Sequence, residues 1–361
     1  MAITTTQAEQ LLTWYETNHR ELPWRDTGDP FDVWISEIML QQTRVEFVKE
    51  RFVRFKEVIP DIPSLSCIPE DTLMKLWEGM GYYSRARNLK KCAEILMEQH
   101  GGALPSDPAQ LRRLPGIGPY TAGAIASIAY EIPEPAVDGN VLRVLARLFH
   151  EERDIRADIV RKEFEQELRQ FFTLAGDGLI QRTPKFVSRF TQALMELGAL
   201  VCLPNGEPHC ELCPWSSTCI AYQNHTTDRI PYRSKLKARR ILPRTITVIR
   251  DGERFLLHKR KEGGLLGGLY EFPGYESHLS RNEVIKQLEA DGIPVLKLTS
   301  LPASRHIFSH VEWDMIAYEI RTASMEEVPG EDYVLLTKKE LQHFAVPSAF
   351  HAYKAYYSLN D

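Results

Sequence analysis

The chain has 361 residues, 43% hydrophobic, 26% charged and 10% aromatic, a balance that excludes fibrous and disordered classes and a length that calls for two domains or more. No run of about 18 apolar residues occurs, and the N-terminus lacks a basic stretch leading into an apolar one, so neither a membrane span nor a signal peptide is expected. The net charge of -5 argues on average against nucleic acid, but the average conceals an asymmetry: 25 basic against 32 acidic side chains through Arg229, and 19 against 17 after it.

From Thr6 to about Tyr222 apolar residues recur at three- and four-residue spacing, in VWISEIML, EFVKERFVRF, LKKCAEILMEQ, VLRVLARLF and FVSRFTQALMELGALV, with Gly and Pro between the runs. This region reads as all-helical. On the first of these helices Trp34, Ile35, Ile38 and Met39 form the apolar side and Glu37 lies beside it. Periodicity alone favours a solvated Glu37. LPGIGPYTAG follows at 114–123, a tight turn between helices that presents backbone N–H groups of Gly116 and Gly118 to an anion. In PEPAVDGNV, Asp138 stands at a helix N-terminus, where a capping role is the ordinary explanation.

Cys202, Cys210, Cys213 and Cys219 are spaced C-x7-C-x2-C-x5-C. Four thiolates this close suit one metal centre. A single CxxC with uneven outer spacings leaves zinc and an iron–sulfur cluster both open, with unliganded buried cysteines as the bland alternative. Between Arg229 and Arg244 come Arg229, Arg233, Lys235, Lys237, Arg239, Arg240 and Arg244 without one acid, which reads as a basic linker. Beyond it RTITVIR, RFLLHKR, HVEWDMIAYEIR and DYVLLT alternate as strands, and NEVIKQLEA is helical, so the second region is α+β.

SEIMLQQT, WEGMGYYSRARNL, LPGIGPYTAG, PEPAVDGNV, the four-cysteine loop and a β-rich tail, in that order, resemble the MutY adenine DNA glycosylases of the helix-hairpin-helix base-excision superfamily. The tail resembles that family's MutT-like domain through LYEFPG and HIFSH. The resemblance implies a multidomain chain: an all-α helix-hairpin-helix glycosylase region over 1–228, a basic linker over 229–243, and an α+β MutT/Nudix-like lesion-recognition domain over 244–361. Within the first, a helix-hairpin-helix subdomain covers about 30–135, and a cluster subdomain combines the N-terminal helix with about 136–228. It implies a 4Fe-4S cluster on Cys202, Cys210, Cys213 and Cys219, although the family usually places six residues between the first two ligands and this chain places seven.

The implied substrate is double-stranded DNA carrying adenine opposite 8-oxoguanine, or opposite guanine, flipped out for attack by a monomeric enzyme of the bacterial cytoplasm. Glu37 would protonate adenine N7, Asp138 would stabilise the sugar cation, and Asn140 would orient Asp138. Tyr120 stands where endonuclease III-like enzymes carry a Schiff-base Lys, so hydrolysis without strand cleavage is expected. Gln42 and Thr43 match lesion-side contacts, Tyr82 a wedge in the base stack, and Phe308, Ser309 and His310 a loop that senses 8-oxoguanine. Arg25 and Gln192 match pocket positions, and the hairpin amides, Arg85, Arg87, the cluster loop and the linker are candidate phosphate contacts. An endonuclease III-like glycosylase/lyase is the nearest alternative. A Nudix pyrophosphohydrolase is disfavoured because NEVIKQLEADG holds only Glu283 and Glu289 where that chemistry needs a glutamate-rich helix. If the linker touches phosphates, neutralising Lys235, Lys237, Arg239 and Arg240 flattens the salt dependence of DNA affinity; an unchanged slope excludes the contact.

Overall fold

The computed structural model describes residues 2–235, 238–323, 325 and 328–356; Lys237 lies outside them. In chain order the helices are α1 (Thr5–Asn18), α2 (Pro30–Leu40), α3 (Val45–Val58), α4 (Ile62–Cys67), α5 (Glu70–Leu76), α6 (Ser84–Gln99), α7 (Pro108–Leu111), α8 (Pro119–Ala124), α9 (Gly139–Phe149), α10 (Asp158–Ala175), α11 (Phe186–Leu200), α12 (Ile220–Gln223), α13 (Arg281–Ala290) and α14 (Lys338–Leu341). The strands are β1 (Arg240–Asp251), β2 (Arg254–Lys259), β3 (Tyr270–Glu271), β4 (Gly274–Tyr275), β5 (Val295–Ile307), β6 (Val311–Thr322) and β7 (Tyr333–Thr337). No helix among the described residues is long and apolar enough to cross a membrane.

Two compact units result, Met1–Cys67 with Asn88–Lys235 and Ile68–Arg87 with Leu236–Asp361. This division departs from a boundary at 228/229. Residues 68–87 join the C-terminal unit because they are tied to it: Lys75 Nζ donates to the Phe344 carbonyl at 3.2 Å, Glu78 Oε1 accepts from Val346 N at 3.2 Å, and Arg87 Nη2 donates to the Gly267 carbonyl at 2.5 Å. β1 also opens at Arg240, so the strand takes in the end of the expected 229–243 linker.

The helical unit begins with a capping box, Thr4 against Gln7, at the start of α1. Leu11, Leu12 and Tyr15 of α1 share one core with residues from Val137 to Ile230. α2 starts at the Asp29 cap with Pro30 in its first turn, and is buried at every position from Phe31 to Met39. α9 starts at Asp138 and buries Val141, Val144, Leu145 and Leu148 at helical spacing. Close backbone approach sets the remaining geometry: a Cβ on Gly123 of α8 would sit 2.0 Å from the Pro135 carbonyl oxygen, and one on Gly198 of α11 would sit 2.5 Å from Asn140 Cβ.

In the other unit β1 and β6 pair in parallel at the centre of the mixed sheet β3-β2-β1-β6-β5, while β5 and β6 form an antiparallel hairpin. Side chains alternate across it: Ile246, Val248, Trp313 and Met315 face a core with Phe350 and Tyr353, and Ile249, Tyr318 and Ile320 face Val284 and Leu288 of α13. β5 escapes the alternation pattern because Pro302, which has no N–H for a ladder, falls in its register shift between Leu301 and Ser304. Glu283 caps α13, accepting from Ser280 N at 2.7 Å and Oγ at 2.6 Å.

Gly123→Ala forces Pro135 and its loop away from α8, and is expected to destabilise the fold by about 3 kcal/mol, measured as a lowered urea midpoint.

Candidate active site

A cavity of about 640 Å³ in the helical unit is lined by Arg25, Glu37, Gln42, Thr43, Tyr120, Asp138, Asn140 and Gln192 together with Arg20, Trp24 and Glu196. Residues from five separated segments thus meet on one space large enough for a nucleoside.

Glu37 is 7% exposed, so the solvated reading favoured by periodicity is wrong: α2 is enclosed on all sides and its glutamate goes inward with the rest. Burial lifts the Glu37 carboxyl from its ordinary 4.5 to about 7; a hydrogen bond from Tyr120 pulls it down, Asp138 pushes it up and Arg25 pulls it down. The Tyr120 hydroxyl donates to Glu37 Oε2 at 2.5 Å. Burial, then the two neighbouring carboxyls, hold that phenol well above its ordinary value, so Tyr120 stays a donor.

Asp138 does cap α9, and it also lines the cavity. Its Oδ1 accepts from Asn140 N at 2.9 Å and Val141 N at 2.8 Å, and its Oδ2 from Asn140 Nδ2 at 2.8 Å. Burial raises its carboxyl while these hydrogen bonds and Arg143 oppose the rise. The Asn140 carbonyl oxygen accepts from Arg143 Nη2 at 2.8 Å, which fixes the amide so that its NH2 faces Asp138. Arg143 in turn donates to the Gly198 carbonyl at 2.7 Å and the Cys202 carbonyl at 2.6 Å.

Arg25, which lines the same cavity, donates to Glu196 Oε2 at 3.0 Å, Gln192 Oε1 at 3.2 Å and the Arg20 carbonyl at 2.6 Å. Burial pushes Glu196 up, but hydrogen bonds from Arg20 and Arg25 overrule it and hold the carboxyl at about 2. Sequence reading missed Arg20, Glu196, Arg143 and Gly198. The available signal was a charged residue inside an apolar helical run: Glu196 lies one turn beyond Gln192 in FTQALMELGAL.

Tyr82, Arg85, Arg87, Phe308, Ser309 and His310 lie in the other unit. Phe308, Ser309 and His310 form the turn of the β5–β6 hairpin, closed by Phe308 N donating to the Val311 carbonyl at 2.8 Å. Phe308 packs edge-on against Trp313, with ring centroids 5.0 Å apart, while Ser309 and His310 are exposed. Tyr82, 45% exposed and in the left-handed region at φ 46°, is hydrogen-bonded through its hydroxyl to that of Ser309. Gly116, at φ 78°, and Gly118, the cap of α8, make the α7–α8 hairpin and do not line the cavity. Arg85 and Arg87 are not open phosphate contacts: Arg85 is buried against backbone carbonyls, and Arg87 Nε is bound to Glu70 at 2.7 Å.

Cys202, Cys210, Cys213 and Cys219 line one small cavity with Val144, Leu148, Leu197, Val201 and Trp215. Burial pushes the Cys210 thiol up to about 11 and Cys213 to about 12, and each is raised further by the other sulfurs. Arg147 Nη1 lies 3.2 Å from Cys202 Sγ. No three His, Cys, Asp or Glu side chains among the described residues come together as a ready-made site for one metal ion. The chemistry of the donor set fits a multinuclear thiolate centre: four cysteines on one cavity, one cationic neighbour and an otherwise apolar wall.

Residues 35–170 match the HhH-GPD superfamily of base excision DNA repair proteins, and residues 245–355 match a NUDIX domain. The adenine DNA glycosylase of Buchnera aphidicola subsp. Baizongia pistaciae is 34% identical over 307 residues, 84% of this chain and 82% of that protein. The adenine DNA glycosylase of Mus musculus is 32% identical over 89% of this chain and 71% of its own length. A thermostable thymine-DNA glycosylase of known structure superposes with a TM-score of 0.52 at 27% identity, covering 61% of this chain and 97% of its own. Fold and site define a helix-hairpin-helix base-excision DNA glycosylase with a Nudix-like C-terminal domain. Within that class, the chain belongs to the adenine DNA glycosylase family, MutY, and is an enzyme that acts on DNA.

A buried carboxyl with a raised pKa binds its proton more tightly in the folded state, so its ionisation weakens the fold as pH rises from about 4.5 through about 7. Glu37→Gln removes that cost. The variant is expected to match the parent in stability near pH 4.5 and to exceed it above pH 8 by on the order of 3 kcal/mol, measured by urea unfolding.

Proposed function

We propose that this glycosylase hydrolyses the N-glycosidic bond of adenine opposite 8-oxoguanine, with Glu37 as acid and Asp138 as the carboxylate facing the sugar. The observation that carries the reading is the pair itself: two carboxyls on one cavity, one lifted to about 7 and the other accepting hydrogen bonds from the Asn140 side chain and two backbone N–H groups. Burial favours the protonated form of Glu37, while the hydrogen bonds that Asp138 accepts favour its charged form, the division of roles that acid-assisted departure through a cationic sugar requires.

Glu37 gives its proton to adenine N7, so the electron pair of the C1′–N9 bond leaves with a neutral base. Asp138 lies against the positive charge that develops on the sugar. Water adds at C1′, and the proton it loses restores the acid. Tyr120 has no amine to form an imine, so an intact abasic strand is the product. Its hydroxyl fixes Glu37 Oε2 and leaves the other oxygen to carry the proton. Arg25, Gln192 and Glu196 supply donors and acceptors for the edge of the flipped base, and Gln42 and Thr43 border the same cavity.

Cys202, Cys210, Cys213 and Cys219 would hold a 4Fe-4S cluster, which when bound cross-links the 202–219 loop at four points. The α7–α8 hairpin would receive a phosphate at Gly116 and Gly118. On the other unit, Ser309 at an exposed hairpin turn would distinguish the protonated N7 of 8-oxoguanine from the bare N7 of guanine. Tyr82 would fill the gap left in the base stack.

Single-turnover reactions on duplexes with adenine opposite 8-oxoguanine, guanine or thymine, with and without hot alkali, test the whole reading. Strand breakage is expected only after alkali and fastest opposite 8-oxoguanine, with a rate that falls as pH rises through about 7. Glu37→Gln should lower the rate at least about 100-fold. Breakage without alkali overturns the monofunctional assignment, and equal rates opposite 8-oxoguanine and guanine overturn the sensing role of Ser309.

A further inference from the structure

Arg85 stands outside the catalytic cavity, and its guanidinium is spent on one turn of the chain. The segment from Gly79 to Tyr82 holds three left-handed residues, Gly79 at φ 87°, Gly81 at φ 67° and Tyr82 at φ 46°. A non-glycine residue in that region is strained and persists only where its surroundings hold it. Arg85 does the holding. It is 9% exposed, its Nη2 donates to the Met80 carbonyl at 2.8 Å and the Gly81 carbonyl at 3.1 Å, and its backbone N donates to the Tyr82 carbonyl at 2.9 Å. Its guanidinium carbon lies 5.2 Å from the Trp77 ring centroid and 5.7 Å from that of Tyr82. Trp77, fully buried, adds a second donor to the Gly81 carbonyl through Nε1 at 3.1 Å. The far end of the braced residue is the hydroxyl of Tyr82, hydrogen-bonded to Ser309 at the β5–β6 turn. Arg85, Tyr82 and Ser309 all belong to the same compact unit.

We infer that Arg85 is a positioning residue for lesion discrimination, which braces the Gly79–Tyr82 turn so that Tyr82 and Ser309 are set against each other before DNA arrives. This rests on the reading of Tyr82 and Ser309 given above. Both carbonyls accept from the one nitrogen Nη2 while the guanidinium carbon lies near two aromatic rings; a lysine ammonium keeps the charge and loses the flat contact with the Trp77 and Tyr82 rings.

The test is a double-mutant cycle in the full-length protein with Arg85→Lys and Tyr82→Phe, read as the ratio of single-turnover excision rates opposite 8-oxoguanine and opposite guanine, alongside thermal melting. Arg85→Lys is expected to lower the ratio about tenfold, as is Tyr82→Phe, and the double variant should lose no more than either alone. A general loss of stability would slow both reactions and leave the ratio intact. Gly81→Ala, whose added methyl meets open space and strains only the backbone, should reproduce the loss if Arg85→Lys does not fold. An unchanged ratio in Arg85→Lys, or losses that add in full, overturns the inference alone. A parental ratio in both Tyr82→Phe and Ser309→Ala overturns the reading beneath it, and the inference with it.

Discussion

Two carboxyl groups withdrawn from water on the wall of one cavity are the constraint to which the helical unit is built. An isolated buried carboxylate is expensive, and the group avoids the expense by taking a proton or by recruiting donors. Glu37 takes the first course and Asp138 the second. The difference follows from their positions in secondary structure. Glu37 sits in the middle of α2, where every backbone N–H is already used by the helix. Asp138 sits at the start of α9, where free N–H groups await an acceptor.

Holding these groups together demands close backbone packing, and the glycines show where. Gly123 lets α8, which carries Tyr120, approach Pro135 in the loop that leads to Asp138. Gly198 lets α11 approach Asn140, and the freed carbonyl of Gly198 accepts from Arg143, the residue that orients the Asn140 amide. The same arginine reaches the Cys202 carbonyl, so the Asp138 cap of α9, the packing of α9 on α11 and the start of the cysteine loop share one guanidinium. Such buried polar networks lower stability unless every member is satisfied.

The second unit applies the same physics at its surface. A short helical segment, Ile68–Arg87, is bound into the Nudix-like unit through main-chain carbonyls and side-chain pairs, and its exposed tyrosine meets an exposed serine on a hairpin turn. Glu283, one of the two glutamates of α13, is spent on capping its own helix, accepting from Ser280 N and Oγ.

Much of this was legible in the chain. Helical periodicity, the glycine-rich hairpin, the cysteine spacing and the alternating strands are local patterns, and each is fixed by residues near one another in sequence. Pattern reading erred where neighbours distant in sequence decide. It favoured a solvated Glu37, because a helix enclosed on all sides carries no periodic mark for its one inward acid. It passed over Glu196, whose partners Arg20 and Arg25 lie about 170 residues away, and over Val295–Ile307, whose pairing with β6 outweighs an internal proline. It offered Arg85 to phosphate, when tertiary packing spends that charge on the Met80 and Gly81 carbonyls. The sequence by itself determined which chemistry-bearing groups exist and which elements carry them; only the tertiary structure decided which of those groups are dry, which share a cavity and which are already paired. Burial and hydrogen-bond partnership, which set a carboxyl's proton affinity and a cation's availability, depend on contacts across the whole fold.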